Sequence, residues 1–330
     1  MRILSYHQVP SCYLNFLTFL SSTTSAADLG FGGFRVESSL VKPRGELSKL
    51  DRSGRRIQLC YTLGTLEDDR PIIEGSVNRG HRWVRPHASI HHQFDLEKGT
   101  MLWIITAPVT PQSQTKNSRD KSKIWTDDFK KHIEESHLDR RFQTPESCFA
   151  MSLDIHLKLA AWSIGDFSYY MQDTDERVRK LVCLHTLNSG CDNGILTSSK
   201  TEKYIDVQAE KIEEADLRLL YILMDRTEEY RRCLESNRKV LQSIAEFYEN
   251  RFLKEVDCIS WKKECTAEID RFLYELKETM SEIEGIVNRT AALKSLAELR
   301  ESVVSTLNYR LLVVTANDNT LDNQASPEPD

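Results

Sequence analysis

From Cys258 onward, apolar side chains recur in steps of three and four: Cys258, Trp261, Cys265, Ile269, Phe272, Leu276, Met280, Ile283 and Val287. On a helix these positions form one stripe, while Lys262, Glu264, Glu268, Arg271, Glu275 and Glu278 fall elsewhere. Leu293, Leu296, Leu299, Val303 and Leu307 continue the pattern. A stripe this regular is buried against another helix, within the chain or in an oligomer. The same period runs through Ile212, Ala215, Leu219, Leu223, Tyr230, Leu234, Leu241, Ile244 and Tyr248, with a break expected near Asp257. An earlier helix is predicted to start at Thr144, a natural N-cap followed by Pro145 at the first helical position and Glu146 in the first turn. Leu153, Leu157, Ala160, Ala161 and Ile164 then recur at helical spacing.

Before residue 109 the pattern changes. Arg55 to Leu63 places Ile57, Leu59, Tyr61 and Leu63 at every second position, which predicts a half-buried strand. His91–Phe94 and Met101–Thr106 flank Asp95-Leu96-Glu97-Lys98-Gly99, a turn-forming stretch, and so predict a β-hairpin. Gly30, Gly32 and Gly33 mark a loop without the spacing of a phosphate cradle. Residues 109–124 carry almost no apolar side chain before Ile124 and read as a surface linker; Asn188–Lys203 reads as a loop. The expected class is therefore α+β. A small mixed α/β N-terminal domain (1–108) precedes a polar linker with short elements (109–143), a long-helix bundle or stalk (144–312) and a disordered tail (313–330).

Composition supports a globular chain: 330 residues, 40% hydrophobic, 28% charged. The net charge of −6 gives no global attraction to nucleic acid or anionic lipid. No basic patch with interleaved aromatics points to nucleic acid. A spanning helix needs roughly 20 apolar residues in a row, and no segment supplies them. Ser11–Leu20 has the length of a signal-peptide core, with Arg2 before it and Ser25-Ala26-Ala27 after. His7, Gln8 and Pro10 stand where that core should begin, which argues against a leader. The eight cysteines contain no CxxC pair, and Cys233, Cys258 and Cys265 fall in helical patterns. Both features fit a reducing compartment, so the expected location is cytoplasmic.

Few residues suggest chemistry. His81, His87, His91 and His92 cluster, but adjacent His91 and His92 point to opposite faces of a strand and no cysteine completes a zinc spacing. Glu202, Asp206, Glu210, Glu213, Glu214 and Asp216 form an acidic run that could attract a hard divalent cation; the plainer reading is a solvated helix face. Glu210, Glu213 and Glu214 are the candidates for weak Mg²⁺ binding, and no cofactor is expected. No nucleophile elbow, zincin, P-loop or EF-hand motif occurs, so no catalytic residue is assigned. Cys148, near a helix start, has either a lowered pKa or an inert buried thiol. The sequon at Asn288-Arg289-Thr290 lies inside a predicted helix and is discounted. Trp83, Trp103 and Trp162 are core anchors rather than a binding platform.

The order Arg55-Arg56-Ile57-Gln58, Trp83-Val84-Arg85, His91-His92-Gln93-Phe94-Asp95 and Leu102-Trp103-Ile104-Ile105 resembles the N-terminal domain of fungal CorA-like transporter proteins. Gln8-Val9-Pro10, Tyr13-Leu14 and Phe31-Gly32-Gly33-Phe34-Arg35 are similar to the segment before it. Leu153–Tyr170 resembles the start of the family's helical region, and Leu219, Leu234, Asn237, Leu241 and Tyr248 resemble its stalk. The resemblance implies an α/β cytosolic domain leading into a long stalk helix. It also implies two membrane helices, the first ending in Gly-Met-Asn, and a pentamer that passes Mg²⁺. This chain has neither the Gly-Met-Asn motif nor those helices, and its start matches the inside of the family's N-terminal domain. No pore residue carries over. The expectation is a non-enzymatic CorA-like protein without a pore as written, regulatory or degenerate. It would be membrane-located only if the sequence is a truncated version of the full-length family. The alternative is a soluble helical scaffold with no ion role. In either case Cys258, Cys265, Ile269, Phe272, Leu276 and Ile283 would pair with a second copy or a family member's stalk.

Overall fold

The computed structural model describes residues 2–21, 33–41, 52–68, 83–107, 144–186, 214–256 and 262–322. Strands β1 (Phe34–Ser38), β2 (Arg56–Gly64), β5 (His87–Asp95) and β6 (Thr100–Thr106) form an antiparallel sheet in the order β1-β2-β5-β6. A short ribbon pairs β3 (Glu67–Asp68) with β4 (Trp83–Val84). The β5–β6 hairpin forms as the sequence predicts, with Asp95 opposite Thr100. The Asp95 carboxylate accepts hydrogen bonds from the Glu97 and Lys98 amides (3.2 and 3.1 Å) and from Ser53 N and Oγ (2.8 and 2.7 Å). Gly99 closes the turn at φ +62°, in the left-handed region that a side chain resists.

The alternation in β2 predicts one wet face, yet all nine of its residues are buried. The face carrying Arg56, Gln58, Cys60 and Thr62 lies beneath α2 (Tyr13–Ser21) and the turn that follows α1 (Arg2–Tyr6). Its polar side chains are hydrogen-bonded there, which is what lets them leave water. Gln58 Nε2 donates to Gln8 O (3.2 Å), and Arg56 Nη2 donates to Gln8 Oε1 (3.0 Å). Tyr13 OH donates to Ser89 O (3.1 Å), and Ser89 Oγ donates to Phe16 O (2.9 Å). Tyr13 and Phe16, which as sequence resembled part of an exportable apolar run, are 0% and 3% exposed.

The opposite face, with Ile57, Leu59, Tyr61, Ile90 and Phe94, meets helix α3 (Pro145–Ile164). That helix starts as expected. Ser147 N donates to Thr144 Oγ1, and Thr144 N donates back to Ser147 Oγ, a reciprocal capping box. It stops at Gly165, φ +47°, where a Cβ would lie 2.1 Å from Thr65 Oγ1. Thr65 Oγ1 donates to Trp162 O (2.7 Å), and Asp166 N donates to Leu66 O (2.9 Å), joining the helix end to the strand end. The remaining helices are α4 (Phe167–Thr186), α5 (Glu214–Glu246), a π-helical turn (Phe247–Phe252), α6 (Leu253–Glu255) and α7 (Lys262–Asp322). Helix α7 runs past Leu312, where the helical pattern was expected to give way to the tail.

The chain forms two compact units, one of Met1–Ser168 with Glu229–Val287 and one of Tyr169–Glu228 with Asn288–Asp330. The core of the first is aromatic: ring centroids lie 5.5 Å apart for Phe94–Phe149, 5.2 Å for Phe149–Phe252 and 5.4 Å for Tyr248–Phe272. Burying each such ring contributes about 1.5–3 kcal/mol. Cys265, Ile269, Phe272, Leu276 and Ile283 are all at most 1% exposed, so these stripe positions complete this core in the single chain. Cys258 and Trp261 lie outside the described residues. In the second unit Val178, Leu220 and Leu223 pack together with Met224 and Leu296. Leu219, expected on the apolar stripe, is instead 38% exposed beside Tyr221 and Ile222; the buried register passes through Leu220.

Candidate functional site

Three layers of the first unit converge on His156. Helix α3 carries it, β2 supplies Tyr61, β5 supplies His92, and the π-helical turn supplies Tyr248. His156 Nδ1 lies 2.8 Å from Tyr61 OH, and Nε2 lies 3.1 Å from His92 Nδ1 and 3.5 Å from Tyr248 OH. His92 stacks on Trp103, its cross-strand neighbour, at 4.0 Å and 15°. Phe272 of α7 closes the pocket, 6.3 Å from the His156 ring. A π-helical turn often marks a functional site, because its wider ring redirects a side chain; here it accompanies Tyr248 and Phe252 on the core side.

Burial sets the electrostatics. It lowers His156 to about 3. It also holds His92 well below the usual imidazole range, with His156 and His91 adding to the effect. The Tyr61 and Tyr248 phenols are pushed up by the same loss of water. All four groups are therefore neutral at pH 7. Each neutral ring carries one proton, so the chain has one sense at a time. Where Tyr61 donates to Nδ1, His156 Nε2–H donates to His92 Nδ1. In either sense His92 Nε2 lacks a partner. Tyr61 and His92 are 0% exposed and His156 is 2% exposed, so the network pins three layers together and titrates only against burial.

A second clamp lies nearby. Asn237 of α5 donates from Nδ2 to Gly64 O (2.6 Å) and Ser163 O (3.1 Å) and accepts from Gly64 N at Oδ1 (3.0 Å). On the other face of the sheet, Cys60 Sγ lies 3.4 Å from His91 Nδ1. Burial, then Arg52, Arg56 and His7, lower His91 to about 4. His87, lowered to about 4 by burial and by Arg85, lines a small space with Gly64, Cys233 and Asn237.

An open groove of about 430 Å³ runs between α3 and α7, lined by Leu157, Lys158, Ala161, Glu275, Glu278, Thr279 and Glu282. Its carboxylates are partly engaged. Arg271 binds Asp154 (2.8 Å), Glu268 (2.9 Å) and Glu275 (3.2 Å), and Tyr274 hydrogen-bonds Glu278. Among the described residues no group of three or more acidic, His or Cys side chains is arranged to hold a metal ion.

Glu210 and Glu213 lie outside the described residues, as does His81. Glu214 opens α5, but its side chain is not among those described. His91 and His92 face opposite sides of the sheet, as adjacent strand residues must. Cys148 is buried, and burial together with Glu146 raises its pKa, the opposite direction from an activated thiol. His156 carried no signal in the sequence beyond a single polar ring within an apolar helical face, between Leu153 and Leu159. Asn237 carried a similar one, an amide at a stripe position between Leu234 and Leu241. Among the described residues no helix is long and apolar enough to cross a membrane.

The sequence of residues 1–184 matches the family model of the CorA-like transporters. A search of curated proteins returned no match.

Proposed function

This chain belongs to the CorA-like transporters, a family related to divalent-cation transport, and from that premise we propose that it is a non-enzymatic regulatory member. It works outside the bilayer on Mg²⁺ or on a family member that carries Mg²⁺. The observation that carries this reading is the match over residues 1–184, which takes in the whole sheet, α3 and most of α4. The supporting detail is that the matched strands are tied by His156, Asn237 and Phe272 to helices on both sides of the match limit, giving one well-built core. Weak Mg²⁺ association at carboxylates, which needs only one or two of them plus water, is assigned to Glu210, Glu213 and Glu214.

Isothermal titration of the full chain with Mg²⁺ tests the reading. The expected result is saturable heat, with a rise in melting temperature that NaCl of equal ionic strength does not give, and loss of both in the Glu210→Gln/Glu213→Gln/Glu214→Gln variant. Neither heat nor stabilisation would overturn the Mg²⁺ part. In liposomes the chain alone should give no Mg²⁺ flux; flux would overturn its placement outside the bilayer. A second reading, a helical scaffold with no ion role, is favoured by the exposed Leu219, Tyr221 and Ile222 on α5. It predicts self-association that Mg²⁺ does not change.

A further inference from the structure

Two cysteines meet where the N-terminal helical layer crosses the central strand. Cys12 sits in the turn that opens α2, with its carbonyl accepting from Asn15 N at 3.1 Å. It is half-buried and packs against the cluster of Tyr13, Phe16 and Cys60. Cys60 is 1% exposed on β2 and belongs to the buried cluster against which Cys12 packs. Their placement is held from both sides. Tyr13, next to Cys12, is anchored through its hydroxyl to β5 at Ser89 O and also meets Thr106 Oγ1 at 3.1 Å. Cys60 lies in the β1-β2-β5 ladder opposite Arg35 and His91. The imidazole Nδ1 of His91 is 3.4 Å from the Cys60 sulfur.

We propose that Cys12 and Cys60 are a peroxide-modified pair that closes to an intramolecular disulfide, locking α2 onto the sheet. The exposed edge of Cys12 receives the oxidant while Cys60, shielded from solvent, resolves the product. In the first step the Cys12 sulfur attacks hydrogen peroxide. An S–O bond forms, the O–O bond breaks, and the departing hydroxide leaves as water with the thiol proton. In the second step the Cys60 sulfur attacks the sulfenic sulfur. An S–S bond forms, the S–OH bond breaks, and the hydroxide takes the Cys60 proton to give a second water. His91 is placed to relay that proton. Two thiols are oxidised and one peroxide is reduced to two waters.

Cys60 is shut off from solvent while Cys12 keeps an exposed edge, so peroxide reaches Cys12 first and the order of the two steps follows from access. The bridge would enclose residues 13–59 of the chain and so restrict the unfolded chain as well as the folded one. Cys148, Cys233 and Cys265 are buried free thiols elsewhere in the fold.

The test uses the full chain treated with equimolar hydrogen peroxide, alkylated under denaturing conditions and mapped by mass spectrometry without reduction. The expected result is a cross-linked peptide pair containing Cys12 and Cys60, with a melting temperature several degrees higher that dithiothreitol reverses. Cys12→Ser should abolish the cross-link, and its melting temperature should be the same with and without peroxide. Cys60→Ser should divert Cys12 to sulfinic acid or a mixed disulfide. The proposal is overturned if Cys60 remains fully alkylated after treatment, if wild-type Cys12 ends as sulfinic acid, or if Cys12 bridges only to another chain.

Discussion

His156 on α3 and Tyr61 on β2 meet through a 2.8 Å hydrogen bond in the fully buried centre of the first unit, and the other imidazole nitrogen of His156 continues to His92. Each partner satisfies a group that has no water to turn to. Their mutual dependence makes the paired replacement less costly than the two single replacements added together.

His156→Phe should destabilise the protein by about 1–3 kcal/mol, because it strands the Tyr61 hydroxyl and the His92 nitrogen in an apolar site. Tyr61→Phe with His156→Phe should cost less than the sum of the two single changes, since both ends of the bond are then apolar. Urea unfolding of the four proteins of this cycle measures the coupling. Strict additivity would show that the bond contributes nothing.

Acid should unfold the protein early. The folded-state values of His87, His91, His92 and His156 are depressed below the ordinary 6.5, so the unfolded chain binds more protons below that pH. Their contribution is fully present above about pH 6.5 and is lost as pH falls towards about 4 for His87 and His91 and about 3 for His156. Each group contributes a loss of up to about 1.4 kcal/mol per pH unit in that window. Melting temperature should therefore fall steeply between pH 6.5 and 4. A flat profile across that range would contradict the neutral-histidine core, and His156→Phe should make the profile shallower.

Asn237→Leu should cost about 2–4 kcal/mol by leaving the buried amide and carbonyl of Gly64 and the carbonyl of Ser163 without partners. Asn237→Asp should be worse than Asn237→Leu at pH 7, because a carboxylate would face two carbonyl oxygens. Chemical denaturation ranks the two; the reverse order would place Asn237 outside a closed clamp.

Thr144→Ala should lower stability by about 1 kcal/mol through loss of the capping box at α3. Gly165→Ala, at the other end of that helix, should cost more. It puts a side chain at φ +47° and within 2.1 Å of Thr65 Oγ1. Thermal unfolding distinguishes the two ends of the helix, and equal effects would argue against the close approach at Gly165.

Periodicity and capping residues determined the helices that follow Thr144, the β5–β6 hairpin and the α+β class, because these depend on neighbours within a few residues, whereas the helices at Arg2–Tyr6 and Tyr13–Ser21 were not read from the sequence. The ordered aromatic and histidine positions also carried the family. The depth of burial was decided elsewhere. Arg56 and Gln58 have the pattern of a solvated strand face, and it is the N-terminal segment, with Gln8 brought from 48 and 50 residues away in sequence, that covers them with matching hydrogen-bond partners. The stripe at Cys265, Ile269, Phe272, Leu276 and Ile283 showed that something must cover it. That the cover is this chain's own sheet and helices is a matter of tertiary structure. His156 and Asn237 were single polar residues among apolar ones, and a lone residue has no period. Their roles come from partners on β2, β5 and α3 that sequence distance separates and packing brings together.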